Sequence, residues 1–156
     1  MREIVLDTET TGLDPDAGHR IIEVGCVELV NRIPSGQIFH QLIDPERDVP
    51  EDAVRVHGID NAKLAGKPKF ADVVGRLLSF LGDDDKLVIH NAAFDVKFLN
   101  AEFAKVGAAP IVMARVIDTI PQARRRHPGS PVNLDALCKR YNIDLSGREK
   151  HGALLD

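Results

Sequence analysis

Strand-like patterning fills three runs within the first 43 residues, and from Phe70 onward helical and strand-like periodicities alternate, which few architectures accommodate in one chain. The early runs cover 3–7, 20–30 and 37–43, with Gly, Pro, Asn and Asp in the connections at 12–18 and 31–36, so an antiparallel meander is expected. A short helix is expected over 50–57. Phe70, Val73, Val74, Leu77, Leu78 and Leu81 then recur at helical spacing until Gly82. Residues 86–90 read as a fourth, buried strand, followed by a helix through Phe94, Phe98, Leu99, Phe103 and Val106 that Gly107 closes. Residues 112–118 suit a fifth strand, or a strand leading into a helix. After the loop at 128–131, Asn133 can cap a helix carrying Leu134, Leu137, Cys138 and Tyr141, and a last helix is expected to begin near His151. The pattern predicts an α/β fold: a mixed sheet covered by helices on both faces, its later strand-helix-strand unit parallel.

At 156 residues the chain is long enough for one domain over 1–156 that buries roughly 68–70% of its unfolded surface. Cys26 and Cys138 stand far apart in apolar segments without CxxC spacing, which predicts reduced core residues and suits the cytoplasm. No apolar stretch approaches the ~20 residues of a membrane helix, so no membrane partner is expected. The net charge of −4 argues against a broad basic surface for nucleic acid. The balance is uneven, however: residues 115–156 hold eight Lys/Arg against five Asp/Glu, while 1–114 hold twelve against nineteen. Arg124, Arg125 and Arg126 read equally as a solvated loop or as phosphate contacts.

Asp7 and Glu9 end the first strand one residue apart, so the period of two puts both carboxylates on one face. Two charges roughly 7 Å apart repel by about 2 kcal/mol at an effective dielectric near 20, a cost that a shared cation reverses. A solvated strand end is the plain alternative, weakened by the hydroxyls and amides of Thr10-Thr11-Gly12 alongside. Asp95 falls in the first turn of its helix, at the strand-end edge where open α/β sheets place their sites; it could equally serve the helix dipole. Asp156 follows Ala153-Leu154-Leu155, where an acid on an apolar face is costly unless paired or metal-bound. Such oxygens suit Mg²⁺ or Mn²⁺ rather than zinc. His151, next to the flexible Gly152, can take a proton from water near neutral pH. Asp118 reads as a structural or supporting acid.

Asp7-Thr8-Glu9-Thr10-Thr11-Gly12-Leu13, His90-Asn91-Ala92-Ala93-Phe94-Asp95 and His151-Gly152-Ala153-Leu154-Leu155-Asp156 resemble, in order and spacing, the three motifs of the DEDDh 3′–5′ exonucleases. The similarity spans essentially the whole chain, including Val56-His57-Gly58-Ile59 and 133–137, and leans toward the family's proofreading branch. It implies a ribonuclease-H-like fold with a five-stranded mixed sheet, and two divalent ions held by Asp7, Glu9, Asp95 and Asp156. It further implies that His151 activates the water that releases a nucleoside 5′-monophosphate. By the same match Thr10, Leu13, Val56, His57 and Phe94 line the terminal-nucleotide pocket, where apolar and stacking surfaces tolerate any base. His90 and Asn91 are read as fixing the strand end, and for Val56 taken alone ordinary core packing is the favoured reading.

The resemblance implies a frayed or single-stranded 3′ end of DNA as substrate and a polymerase catalytic subunit as partner. Members of that branch carry a tail that binds polymerase and sliding clamp; here one domain without that tail is expected. Two other functions are compatible with the residues: trimming of RNA or short oligonucleotides, and noncatalytic stabilisation of a polymerase, which intact acids and His151 disfavour.

Overall fold

The computed structural model describes residues 1–156. Strands β1 (Arg2–Thr10), β2 (Ile21–Val30) and β3 (Ile33–Leu42) form the meander. Helices α1 (Glu51–His57), α2 (Asn61–Leu64) and α3 (Phe70–Leu81) precede β4 (Lys86–Ile89); α4 (Ala92–Lys105), β5 (Val116–Asp118), α5 (Thr119–Arg126) and α6 (Leu134–Arg140) follow. The sheet order is β3-β2-β1-β4-β5, antiparallel across β3, β2 and β1 and parallel from β1 through β4 to β5.

Alternation along β1 divides the two faces. Ile4 and Leu6, with Val24, Cys26, Leu87 and Ile89, join Phe70, Val73, Leu77, Phe98, Leu99 and Phe103 of α3 and α4 in one buried core. Val5, Asp7 and Glu9 point the other way, toward α5, α6 and the 151–156 segment. Cys26 and Cys138 are free and buried, as expected, and burial pushes the Cys26 thiol up to about 12. No helix is long and apolar enough to cross a membrane.

Four local expectations are corrected. The meander's second connection is not 31–36 but the two residues Asn31 and Arg32, whose φ of 53° and 67° make the tight turn of a two-residue hairpin. Pro34 fits inside β3 because that strand is the sheet edge. Residues 112–115 are not strand, since Met113–Arg115 wind into a 3₁₀ turn before β5. The three arginines form the last turn of α5 rather than a loop, where cations complement the carbonyl end of the helix. No helix starts at His151: the five residues after it make one turn, with Leu155 and Asp156 amides donating to the Gly152 carbonyl at 2.8 and 2.9 Å.

Candidate active site

The parallel half of the sheet brings β1 and β4 side by side, and their ends open into a cavity of about 720 Å³. Asp7, Glu9, Asp95, His151 and Asp156 all line it, with Val56 and Phe94. Thr10, Leu13 and His57 do not. Thr10 is buried and its hydroxyl donates to the Gly12 carbonyl at 2.6 Å, while Leu13 is 85% exposed on the loop after β1. His57 is buried, its Nδ1 accepting from the Ile59 amide at 3.0 Å and its Nε2 lying 3.2 Å from the Thr10 carbonyl. Accepting at Nδ1 leaves the neutral ring's proton on Nε2, so Nε2 ties the end of α1 to the end of β1 while Nδ1 holds the turn that follows α1. Burial holds that imidazole below its ordinary pKa. Phe94 packs against Phe98 with the rings tilted by 46° and their centroids 5.0 Å apart.

Asp95 reaches β1 from the first turn of α4. Its Oδ1 accepts from the Thr8 amide at 3.0 Å and the Thr8 hydroxyl at 2.6 Å, which fixes the carboxylate from the core side. The helix start is built by Asn91, in the left-handed region at φ 64°, and by Asp118, which accepts from the amides of Asn91, Ala92 and Ile120 at 3.2, 3.1 and 2.9 Å. Asp118 therefore caps α4 and α5 together and has a structural role. His90 joins the same corner, its Nδ1 lying 2.8 Å from the Thr119 hydroxyl.

The acids are crowded. Burial, then the charges of Asp95, Glu9 and Asp156, pushes Asp7 up to about 9. Glu9 rises to about 8 through burial and then Asp156, Glu23 and Asp95, against the lowering charge of Arg148. Burial lifts Asp95 to about 6 although the Thr8 bonds oppose it. Ligand atoms of Glu9, His151 and Asp156 lie within 4.8 Å of one another. A set of close, partly desolvated carboxylates lacking enough cations of its own fits a hard divalent ion.

Two features escaped the sequence reading. Arg148 pairs with both Asp156 and Asp135, and its Nη2 lies 2.8 Å from His151 Nδ1. Its place three residues before His151 was the only hint. His151 Nδ1 thus lies between a guanidinium, which only donates, and Asp156 Oδ2 at 2.6 Å, which only accepts when ionised; in the tautomer with the proton on Nδ1 the ring serves the carboxylate and Nε2 keeps the free lone pair. Glu23 of β2 is 7% exposed and accepts from the Ala153 amide at 2.9 Å. Nothing in the spacing of the chain pointed to it.

The family model described as Exonuclease, RNase_T, matches residues 4–156. A DNA polymerase III subunit epsilon from Rickettsia felis is 53% identical over 159 residues, covering all of this chain and 69% of that protein. The chain belongs to the DEDDh 3′–5′ exonucleases. Enzymes of this family are metal-dependent and hydrolyse phosphodiester bonds. Among solved structures, exonuclease X in complex with 5′ overhanging duplex DNA is 27% identical, with a TM-score of 0.71 over 92% of this chain and 75% of that one. The nuclease domain of 3′hExo, a DEDDh family member bound to rAMP, shares the fold at 20% identity, with a TM-score of 0.79 over 99% of this chain and 85% of that one. The ribonuclease-H-like architecture is thus common to the DEDDh exonucleases and this chain.

Proposed function

We propose that this chain is the proofreading nuclease of a replicative DNA polymerase, removing nucleotides from a frayed or single-stranded 3′ end as 5′-monophosphates. The observation that carries this reading is the convergence of Asp7, Glu9, Asp95, His151 and Asp156 on one cavity, with Phe94 and Val56 beside them. Water attacks the phosphorus of the terminal phosphodiester, His151 accepts the water's proton at Nε2, and the bond to the 3′ oxygen of the penultimate nucleotide breaks, that oxygen taking a proton from solvent to become the new 3′ hydroxyl. That side chain is 47% exposed, so the free nitrogen can reach a solvent molecule while Asp156 orients the ring. Asp7, Glu9, Asp95 and Asp156 would hold two divalent ions, Mg²⁺ or Mn²⁺, which would supply charge stabilisation for the attacking and leaving oxygens.

Phe94 and Val56 offer apolar surface to the terminal base; Thr10 and His57 stand outside the cavity and support the end of β1 from behind, and Leu13 projects from the following loop as the further apolar contact. A mismatched end unpairs at lower cost than a matched one, so a cavity that admits single strands selects errors without reading sequence. The partner is the polymerase catalytic subunit, and contact with the sliding clamp would need a segment outside these residues.

The test is digestion of a 5′-labelled primer with a mismatched 3′ end, with Mg²⁺ or Mn²⁺ and with chelator, beside matched DNA and RNA oligonucleotides. Metal-dependent shortening from the 3′ end is expected, lost in a folded Asp7→Ala variant. Persistent turnover by Asp7→Ala would overturn the metal site, and a clear preference for RNA would overturn the proofreading role.

A further inference from the structure

The Gly152–Asp156 turn bears Asp156 and follows directly on His151, and the Gly152 carbonyl accepts from the Leu155 and Asp156 amides within it. Its link to Val56, whose carbonyl accepts from the His151 amide, is long at 3.3 Å. The firmer attachment comes from β2. Glu23 Oε2 accepts from the Ala153 amide at 2.9 Å, and Glu23 Oε1 lies 2.6 Å from His40 Nε2, which anchors the carboxylate from the sheet edge. Two residues along the same strand, Gly25 leaves room for the Ala153 carbonyl. A Cβ there would stand 2.2 Å from that oxygen and 2.4 Å from its carbon, both backbone atoms. Gly25 is not among the positive-φ residues, so space rather than conformational freedom requires the glycine.

Glu23 and Gly25 lie on one face of β2, and the ladder pairs Asp7 with Gly25 and Glu9 with Glu23. The residues that receive the turn are therefore the cross-strand neighbours of the two acids. We propose that Glu23 is a positioning residue of the nuclease site: with Gly25 it clamps the Ala153 peptide onto β2, setting His151 and Asp156 opposite Asp7 and Glu9. A carboxylate placed directly across from Glu9 is unfavourable as a like-charge pair. A strong, charge-assisted bond to a buried amide accounts for its presence. The positioning role rests on the exonuclease reading, whereas the clamp itself does not.

Hydrogen exchange of the Ala153 amide tests the clamp directly, alongside kcat and KM on a single-stranded DNA oligonucleotide with Mn²⁺. Glu23→Ala is expected to speed Ala153 exchange about tenfold or more while core amides of β1 and β4 stay protected. It should also lower kcat about tenfold with KM nearly unchanged. Glu23→Gln, whose amide oxygen can still accept, is expected to restore both within about threefold. Gly25→Ala keeps Glu23 but displaces the Ala153 carbonyl, so it should reproduce the defect and serves if Glu23→Ala does not fold. Unchanged Ala153 exchange in Glu23→Ala, or a Gln variant as impaired as Ala, overturns the clamp. A wild-type protein without nuclease activity would instead defeat the functional reading, and the exchange result would still decide the clamp.

Discussion

At the level of single residues, Arg148 is a cation paired with one of the site's acids. Its guanidinium and the Asp156 carboxylate are 10% and 8% exposed, and the pair lies beside acids that repel one another. Removing one member of such a pair leaves the other charge uncompensated. Arg148→Ala should therefore cost roughly 3 kcal/mol of stability in chelator. Mn²⁺ should return part of that by offering Asp156 another cation. Urea unfolding in EDTA and in Mn²⁺ would check this, and equal midpoints for variant and wild type in EDTA would refute it. The acids and His151 were legible because their spacing forms three ordered motifs, and the cavity gathers all five. Arg148 and Glu23 were not, because a lone charge acquires its meaning only from neighbours eight and 130 positions away. The place given to His57 in a nucleotide pocket came from resemblance, and the hydrogen bonds at both its nitrogens are a tertiary fact that no local pattern encodes.

At the level of elements, the corner joining β4, α4, β5 and α5 converts strand order into site geometry. Asp118 receives three backbone amides from two helix starts, and α4 delivers Phe94 and Asp95 within its first turn. Asp118→Ala removes both caps, so a loss of about 2 kcal/mol is expected in urea unfolding, with weaker exonuclease turnover. A variant as stable as the parent would show that water replaces the caps. The strands of the meander, the long helices α3 and α4 and the Asn133 cap were readable from periodicity and flanking residues. The 3₁₀ turn before β5 was not, and of α5 only a helix following the strand was readable, not that it ends on the three arginines. In both places a short element is held by neighbours rather than by its own pattern: Arg115 donates to the carbonyls of Leu81, Gly82 and Asp85, across from the end of α3.

For the molecule as a whole, the raised acids make stability depend on pH and metal together. Asp7, near 9, and Glu9, near 8, bind protons more tightly when folded than their ordinary values of 3.8 and 4.5 allow unfolded. Between those limits the folded state holds more protons, so these groups lower stability as pH rises and cease to do so only above about 9. Thermal midpoints in chelator should fall from pH 5 to pH 9, and saturating Mn²⁺ should flatten that decline. A midpoint that rises across this range without metal would show that other groups dominate. The join between the first strand and the last turn also sets a schedule for synthesis. Asp156 follows Asp95 by 61 positions, so a ribosome adding about 5–20 residues per second needs roughly 3–12 s between them. Throughout that interval the growing polypeptide has Asp7, Glu9 and Asp95 but not Asp156, and it gains His151 only near the end. A nascent or prematurely terminated chain is therefore born without cutting power, and the polymer it could degrade is safe until translation has passed the final acid.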